Sequence, residues 1–309
     1  MARTRFAPDR GLTARMGLTM FLLGLVLVVF VFAIIFILGR FGVSMGGIVF
    51  IAILFGGGMT IASLFFSDKI ALRAAGARVV SPQEAPELHG VVDRLCALAN
   101  MPKPRVAISD TNMPNAFATG RNSKVAVLCV TTGLLRRLDR AELEGVISHE
   151  MSHVAHRDVT VMTIASFLAI VAGLMVRFAF YSELFGGGRR RDSNDNSAFV
   201  MLAIMAVSIV VYAISFLLIR ALSRYRELAA DRSGALLTGQ PSALASALQK
   251  VSGDIARIPV KDLRAAEGLN AFYFAPALAK GSISALFSTH PSLDKRLAQL
   301  AKISQQIGR

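Results

Sequence analysis

Only two cysteines, Cys96 and Cys129, occur in 309 residues, both in apolar surroundings and with no C-x-x-C pairing. No disulfide framework is implied, which fits a reducing compartment, and both read as small core residues rather than metal ligands. Acidic residues are scarce, 20 against 34 Lys and Arg, giving a formal charge of +14. Such an imbalance would suit nucleic acid, but no motif for it is present and no nucleic-acid partner is expected. Basic cytoplasmic segments of a membrane protein explain the charge better. No internal repeat of useful length is visible. Histidines number five, so any pattern among them carries weight.

The chain is rich in apolar residues, 54% with a mean hydropathy of +0.55, too apolar for an ordinary soluble protein. Four long apolar runs account for this. Arg3, Arg5, Arg10 and Arg15 stand against one acid, Asp9, ahead of the first run, Gly17 to Leu38. That run is too long for the core of a signal peptide, and no small-residue cleavage site follows it. The second, Gly42 to Phe66, follows a turn around Arg40. Residues 1–66 thus read as a tail and a transmembrane hairpin, each run being long enough for a hydrocarbon core of about 30 Å. The flanking arginines, with Lys69, Arg73 and Arg78 after the second run, put both ends in the cytoplasm.

Residues 67–158 are mixed and more polar. Ser81 to Pro86 is a helix-start signal, and Glu87 to Ala99 has helical spacing. His89, on this helix, reads as a surface or core histidine. Pro104 to Ser109, Ala116 to Thr119 and Lys124 to Val130 read as short strands of a small sheet. The third run, Val159 to Val176, and the fourth, Ala198 to Ile219, form a second hairpin over 159–219 around a polar loop, 177–197. Residues 220–309 return to mixed, mostly helical patterns. If the second hairpin spans fully, Arg189, Arg190 and Arg191 lie outside the cytoplasm, against the positive-inside tendency.

The segment Ala141 to Arg157 contains His149-Glu150-Met151-Ser152-His153, the pattern H-E-x-x-H. On a helix, residues four apart share a face, so both imidazoles reach one metal ion, and Glu150 beside them can take a proton from a water. The helix is credible from its own residues. Asp139 and Glu142 make a capping box, and Leu143, Val146, Ile147, Met151 and Val154 form an apolar stripe. A catalytic zinc needs a third protein ligand. The extended H-E-x-x-H-x-x-G-x-x-H pattern fails, because Val159 stands where its histidine belongs and His156 replaces its glycine. His156 reads as an outer or surface residue. A glutamate on a later helix is the other common source, and Glu227 is the best candidate. Asp231, four residues on, shares its face and can hydrogen-bond the outer nitrogen of a ligating histidine. The competing reading is a solvated helix with acids paired to arginines. His153 lies six residues before the third run and Glu227 eight beyond the fourth. Both therefore sit within about 10–12 Å of the membrane boundary along the chain.

Taken in order, two spans, His149 to His153 followed by Arg157-Asp158, two more spans, and Ser223 to Asp231 resemble the HtpX-type bacterial membrane metalloproteases, relatives of the CAAX prenyl proteases. Ser288 to Arg296, with His290 and Pro291, also resembles the family's closing motif. The resemblance covers nearly the whole chain. It implies a mainly α integral membrane protein with four transmembrane helices and a cytoplasmic zincin-like α+β protease domain with a small β-sheet. That domain would be built from 67–158 and 220–309. It further implies one Zn²⁺ per chain, held by His149, His153 and Glu227, and an inner-membrane endopeptidase whose active site faces the cytoplasm. The expected role is quality control and stress response.

On this reading Glu150 accepts the proton of the attacking water and delivers it to the leaving amine. The oxyanion needs a further donor, for which His290 and Arg296 are candidates. Asn115, Ala116, Phe117, Ala118 and Thr119 resemble the family's edge strand, on which a substrate can add through main-chain hydrogen bonds that ignore sequence. The expected partners are membrane-protein or unfolded polypeptide substrates and the lipid bilayer. Two alternatives remain: a narrow-specificity processing protease resembling prenyl-protein endopeptidases, and a non-enzymatic membrane scaffold with a structural zinc site. Glu150 argues against the scaffold, which needs no base.

Overall fold

The structure, a computed structural model, describes residues 10–40, 57–186, 197–255 and 290–307. These fall into two compact units. One comprises Met1–Met16, Leu64–Val161 and Ser223–Arg309, the other Gly17–Ser63 and Met162–Leu222.

The described helices and strands run as follows. Helices α1 (Arg10–Arg40) and α2 (Gly58–Ala74) precede strand β1 (Ala77–Val79) and helix α3 (Pro86–Ala99). Strands β2 (Arg105–Ser109), β3 (Ala116–Thr119) and β4 (Val127–Thr131) follow, with a single helical turn, α4 (Thr132–Leu135). Then come α5 (Arg140–Ala155), α6 (Asp158–Gly186), α7 (Ser197–Thr238), α8 (Pro241–Ile255) and α9 (Leu293–Ile307).

In the first unit the sheet has the order β1-β2-β4-β3, with β2 and β4 parallel and the other pairs antiparallel. Strand residues alternate between its faces. Val106, Leu128 and Val130 turn to the main core, where they join Val92 and Leu95 of α3, Ile147 and Met151 of α5, and Leu244 and Leu248 of α8. Ala107, Phe117, Val127 and Cys129 turn the other way, toward Ala71 of α2. Because both faces are covered, β4 is buried at every position, and its sequence Val-Leu-Cys-Val-Thr lacks polar alternation. Strand β3 is the edge beside α5.

Local chemistry explains where elements begin and end. Helix α3 opens with Pro86 in its first turn and closes on Asn100, whose φ of 51° lies in the left-handed region that asparagine tolerates. Strand β4 starts later than the Lys124 expected from sequence. The Asn122 carboxamide accepts from the Lys124 and Val125 N–H groups at 3.0 and 3.3 Å, holding them in a turn. Strand β1 has no counterpart among the expected strands, since three residues leave almost no periodic signal. His89 is a core residue, with its Nε2 donating to the Val80 carbonyl at 3.1 Å. Cys96 and Cys129 are free and buried, and burial pushes their thiols up to about 11 and about 12.

The second unit takes its described residues from α1, the start of α2, α6 and α7. Phe30, Ile34 and Leu38 of α1, Leu168 and Ala172 of α6, and Ile204 and Val211 of α7 are buried. Other faces of these helices are apolar too: Phe32 is 67% exposed, Phe36 73% and Leu202 56%. Ser208 and Ser215 are fully buried, and the Ser215 hydroxyl donates to the Val211 carbonyl at 2.7 Å. Hydroxyls inside and phenylalanines outside suit a hydrocarbon solvent. Three described helical stretches are long and apolar enough to cross a membrane: Arg10–Arg40, Asp158–Arg177 and Phe199–Thr238. Most of the expected second span, 42–56, lies outside the described residues. The polar loop expected from 177 begins later, because α6 continues to Gly186. The segment Phe178 to Phe185 is largely aromatic and apolar and contains no glycine or proline, so nothing stops the helix there.

Candidate metal centre

The site is built around α5. The Asp139 carboxylate accepts from the Glu142 N–H at 2.9 Å, and the Glu142 carboxylate accepts from the Asp139 N–H at 3.0 Å, completing the capping box. Glu142 also accepts from Ser246 and Lys250 of α8, at 2.6 and 2.7 Å. Burial alone would raise its pKa, but these bonds outweigh it and the net shift is downward. Two glycines admit neighbouring helices closely. A Cβ at Gly145 would lie 3.1 Å from the Leu244 backbone of α8. One at Gly234 of α7 would lie 2.9 Å from both the His149 nitrogen and the Ser148 hydroxyl. Only a residue without a side chain lets α7 run this close to the first histidine.

That approach brings α7's carboxylates to α5's imidazoles. His149 Nε2 and His153 Nε2 lie 3.2 Å apart. The Glu227 oxygens lie 3.6 Å from His149 Nε2 and 3.4 Å from His153 Nε2. The three side chains offer donor atoms within 4.8 Å of one another, the described cluster suited to hold a metal ion. A tetrahedral zinc with ligands at about 2.0–2.1 Å spaces its donors roughly 3.3–3.4 Å apart. Two neutral imidazoles and one carboxylate at these separations fit such an ion. Burial opposes a charge on Glu227, yet the neighbouring His290, with its hydrogen bond, holds its pKa well below the ordinary carboxylate range.

Each expected site residue has a definite place. Glu150 is buried, and its Oε2 accepts from the Ala118 N–H of β3 at 3.0 Å. Burial raises its pKa, against the opposing pull of His149 and His153. His290 donates from Nδ1 to Glu227 Oε2 at 2.9 Å. Asp231 Oδ1 lies 2.9 Å from His149 Nδ1. Arg296 is almost wholly buried and grips Asp231 with two bonds, Nε to Oδ2 at 2.7 Å and Nη2 to Oδ1 at 2.6 Å. Its nearest approach to Glu227 is 3.9 Å. The guanidinium is thus committed to Asp231 rather than standing as a surface cation. Asn115 is buried at the head of β3, where its N–H donates to Thr131 Oγ1 at 2.9 Å. Ala116, Phe117, Ala118 and Thr119 form β3 itself. His156 ends α5 as an exposed C-cap.

Asp158 and Arg226 carry almost no functional signal in the sequence. Asp158 accepts from His153 Nδ1 at 2.5 Å and is ion-paired with buried Arg226. The only signal was a carboxylate five residues after the second histidine, a spacing that does not share a face on an unbroken helix.

Two imidazoles and a glutamate positioned for one ion, with a second carboxylate against a sheet edge, define a metallopeptidase site. The chain belongs to peptidase family M48, whose profile matches residues 82–304. It is similar to Protease HtpX homolog 1 of Streptomyces coelicolor, 61% identical over 99% of this chain and 97% of that one. Protease HtpX homolog of Moorella thermoacetica is 54% identical over 99% and 98% of the two chains. Among solved structures, Ste24p of S. mikatae shares the fold, with a TM-score of 0.53 at 15% identity over 92% of this chain and 66% of that one. With its membrane-length helices, the protein is a membrane metalloprotease acting on protein substrates. It is an enzyme and not a scaffold with a structural metal.

Proposed function

We propose that the metal is zinc, bound by His149, His153 and Glu227. The chain is an inner-membrane endopeptidase that hydrolyses damaged or misfolded membrane proteins at the cytoplasmic face, as part of quality control under stress. The observation that carries this is the 3.2–3.6 Å spacing of the three donors beside buried Glu150. The four apolar runs cross as two hairpins, residues 1–66 and 159–219, while 67–158 and 220–309 form one protease domain. The short chain distances from His153 to the third run and from the fourth run to Glu227 support a site near the membrane surface.

When bound, zinc supplies a Lewis acid that acidifies water and polarises a carbonyl. The chain's own groups do the rest. The Ala118 N–H fixes Glu150 Oε2, so Oε1 takes the proton of the attacking water and passes it to the leaving amine. His290, oriented by Glu227, donates to the developing oxyanion. Asp231 holds the His149 ring, and Arg296 holds Asp231. The Ala118 N–H points to α5 and away from β4, which supports the outer edge of β3, residues 115–119, as the side where a substrate strand pairs. Recognition through main chain selects extended, unfolded polypeptide over any particular sequence.

The test is cleavage by the purified full chain in lipid vesicles. The expected result is several cuts in an unfolded membrane protein, at least about tenfold faster (about 1.4 kcal/mol in barrier) than in the same protein folded. A single cut, equally fast in both, would favour the narrow processing protease instead.

A further inference from the structure

The two histidines are held from behind in parallel ways. His149 Nδ1 meets Asp231, which Arg296 grips; His153 Nδ1 meets Asp158, which is ion-paired with Arg226. The geometry points to Asp158, fixed by Arg226, as the positioning residue that orients His153 toward the metal. This rests on the reading of His153 as a ligand given above.

Local backbone makes the contact possible. Helix α5 ends on His156, and Arg157 takes a φ of 57°, a left-handed conformation that costs a non-glycine residue about 1–2 kcal/mol. The reversal starts α6 at Asp158 and turns its carboxylate back to His153, within 2.5 Å of Nδ1. A carboxylate there keeps the proton on Nδ1 and leaves Nε2, the nitrogen 3.2 Å from His149 Nε2, as the metal-facing donor. Asp158 and Arg226 are 7% and 3% exposed, so each is the other's compensation for burial. Arg226 also directly precedes Glu227 on α7. The ion pair therefore fastens the start of α6 to the turn of α7 that presents the third ligand, and registers all three donors against each other.

The test compares the full-length parent, Asp158→Asn, and the double variant Asp158→Asn/Arg226→Met, which leaves no unpaired buried cation. Cobalt(II) affinity, the visible spectrum of the cobalt form and thermal unfolding are measured alongside kcat and KM. Both variants should bind cobalt about 10–100-fold more weakly, with a shifted spectrum and a lower kcat at little-changed KM. The double variant should regain the thermal stability that the single one loses, without regaining affinity. Parental affinity in either variant overturns the proposal, and so does loss of the fold in both, which would make the pair merely structural. A parent that binds no cobalt would instead refute the underlying metal site.

Discussion

Replacing Glu150 by Gln lowers kcat for peptide hydrolysis by about 10²–10⁴-fold and leaves metal affinity unchanged. The carboxamide has nearly the same shape and still offers an oxygen to the Ala118 N–H, now 3.0 Å from Glu150 Oε2. It cannot accept a proton from water at neutral pH. His149, His153 and Glu227, the cluster that could hold a metal ion, are untouched. Cleavage rate and metal content, measured on one preparation, check both halves. A variant that cleaves at the parental rate would remove Glu150 from the role of base; one that loses its metal would make it a structural group.

The second large effect concerns stability. Arg296→Met costs about 3–5 kcal/mol, because it strands the Asp231 carboxylate in the interior. Arg296 and Asp231 are 1% and 0% exposed, and the two bonds of 2.6 and 2.7 Å satisfy both charges. Burial opposes ionisation of Asp231, and the Arg296 charge, its hydrogen bonds and those of His149 together keep its pKa low. Without the guanidinium, that carboxyl tends to protonate and loosens its hold on His149. A double-mutant cycle checks this by thermal unfolding in detergent. Asp231→Asn/Arg296→Met should be more stable than Arg296→Met alone, since no unpaired charge remains. Additive losses would show that the two residues act separately.

The parts of this site that could be read from sequence are those with short-range spacing. Asp139 and Glu142 announce the start of α5, and His149 and His153 share a face because they are four apart. Glu227 and Asp231 follow the same rule on α7. What sequence could not place depends on tertiary packing or on a hidden break. Arg296 meets Asp231 across 65 residues, and nothing local marks it as buried. Asp158 reaches His153 only because Arg157 adopts a left-handed turn, and an arginine there gives no warning of one. Gly234 looks like an unfavourable residue inside a long helix, and its use is visible only against the His149 backbone. For the fold, the first, third and fourth apolar runs are legible as helices, while the end of α6 and the short strand β1 are not. Aromatic residues beyond Arg177 carry helix as readily as loop, and a three-residue strand is set by its neighbour β2.

On the proposed mechanism, His149, His153 and Glu227 together hold the ion that the enzyme uses. Metal content of the purified full chain, measured after dialysis against a series of zinc buffers, tests it most directly. The parent and Glu150→Gln should each retain about one zinc per chain. Glu227→Ala should bind more weakly by more than the roughly 10–100-fold that loss of an outer partner costs. Retention of zinc by Glu227→Ala with parental affinity would contradict the account.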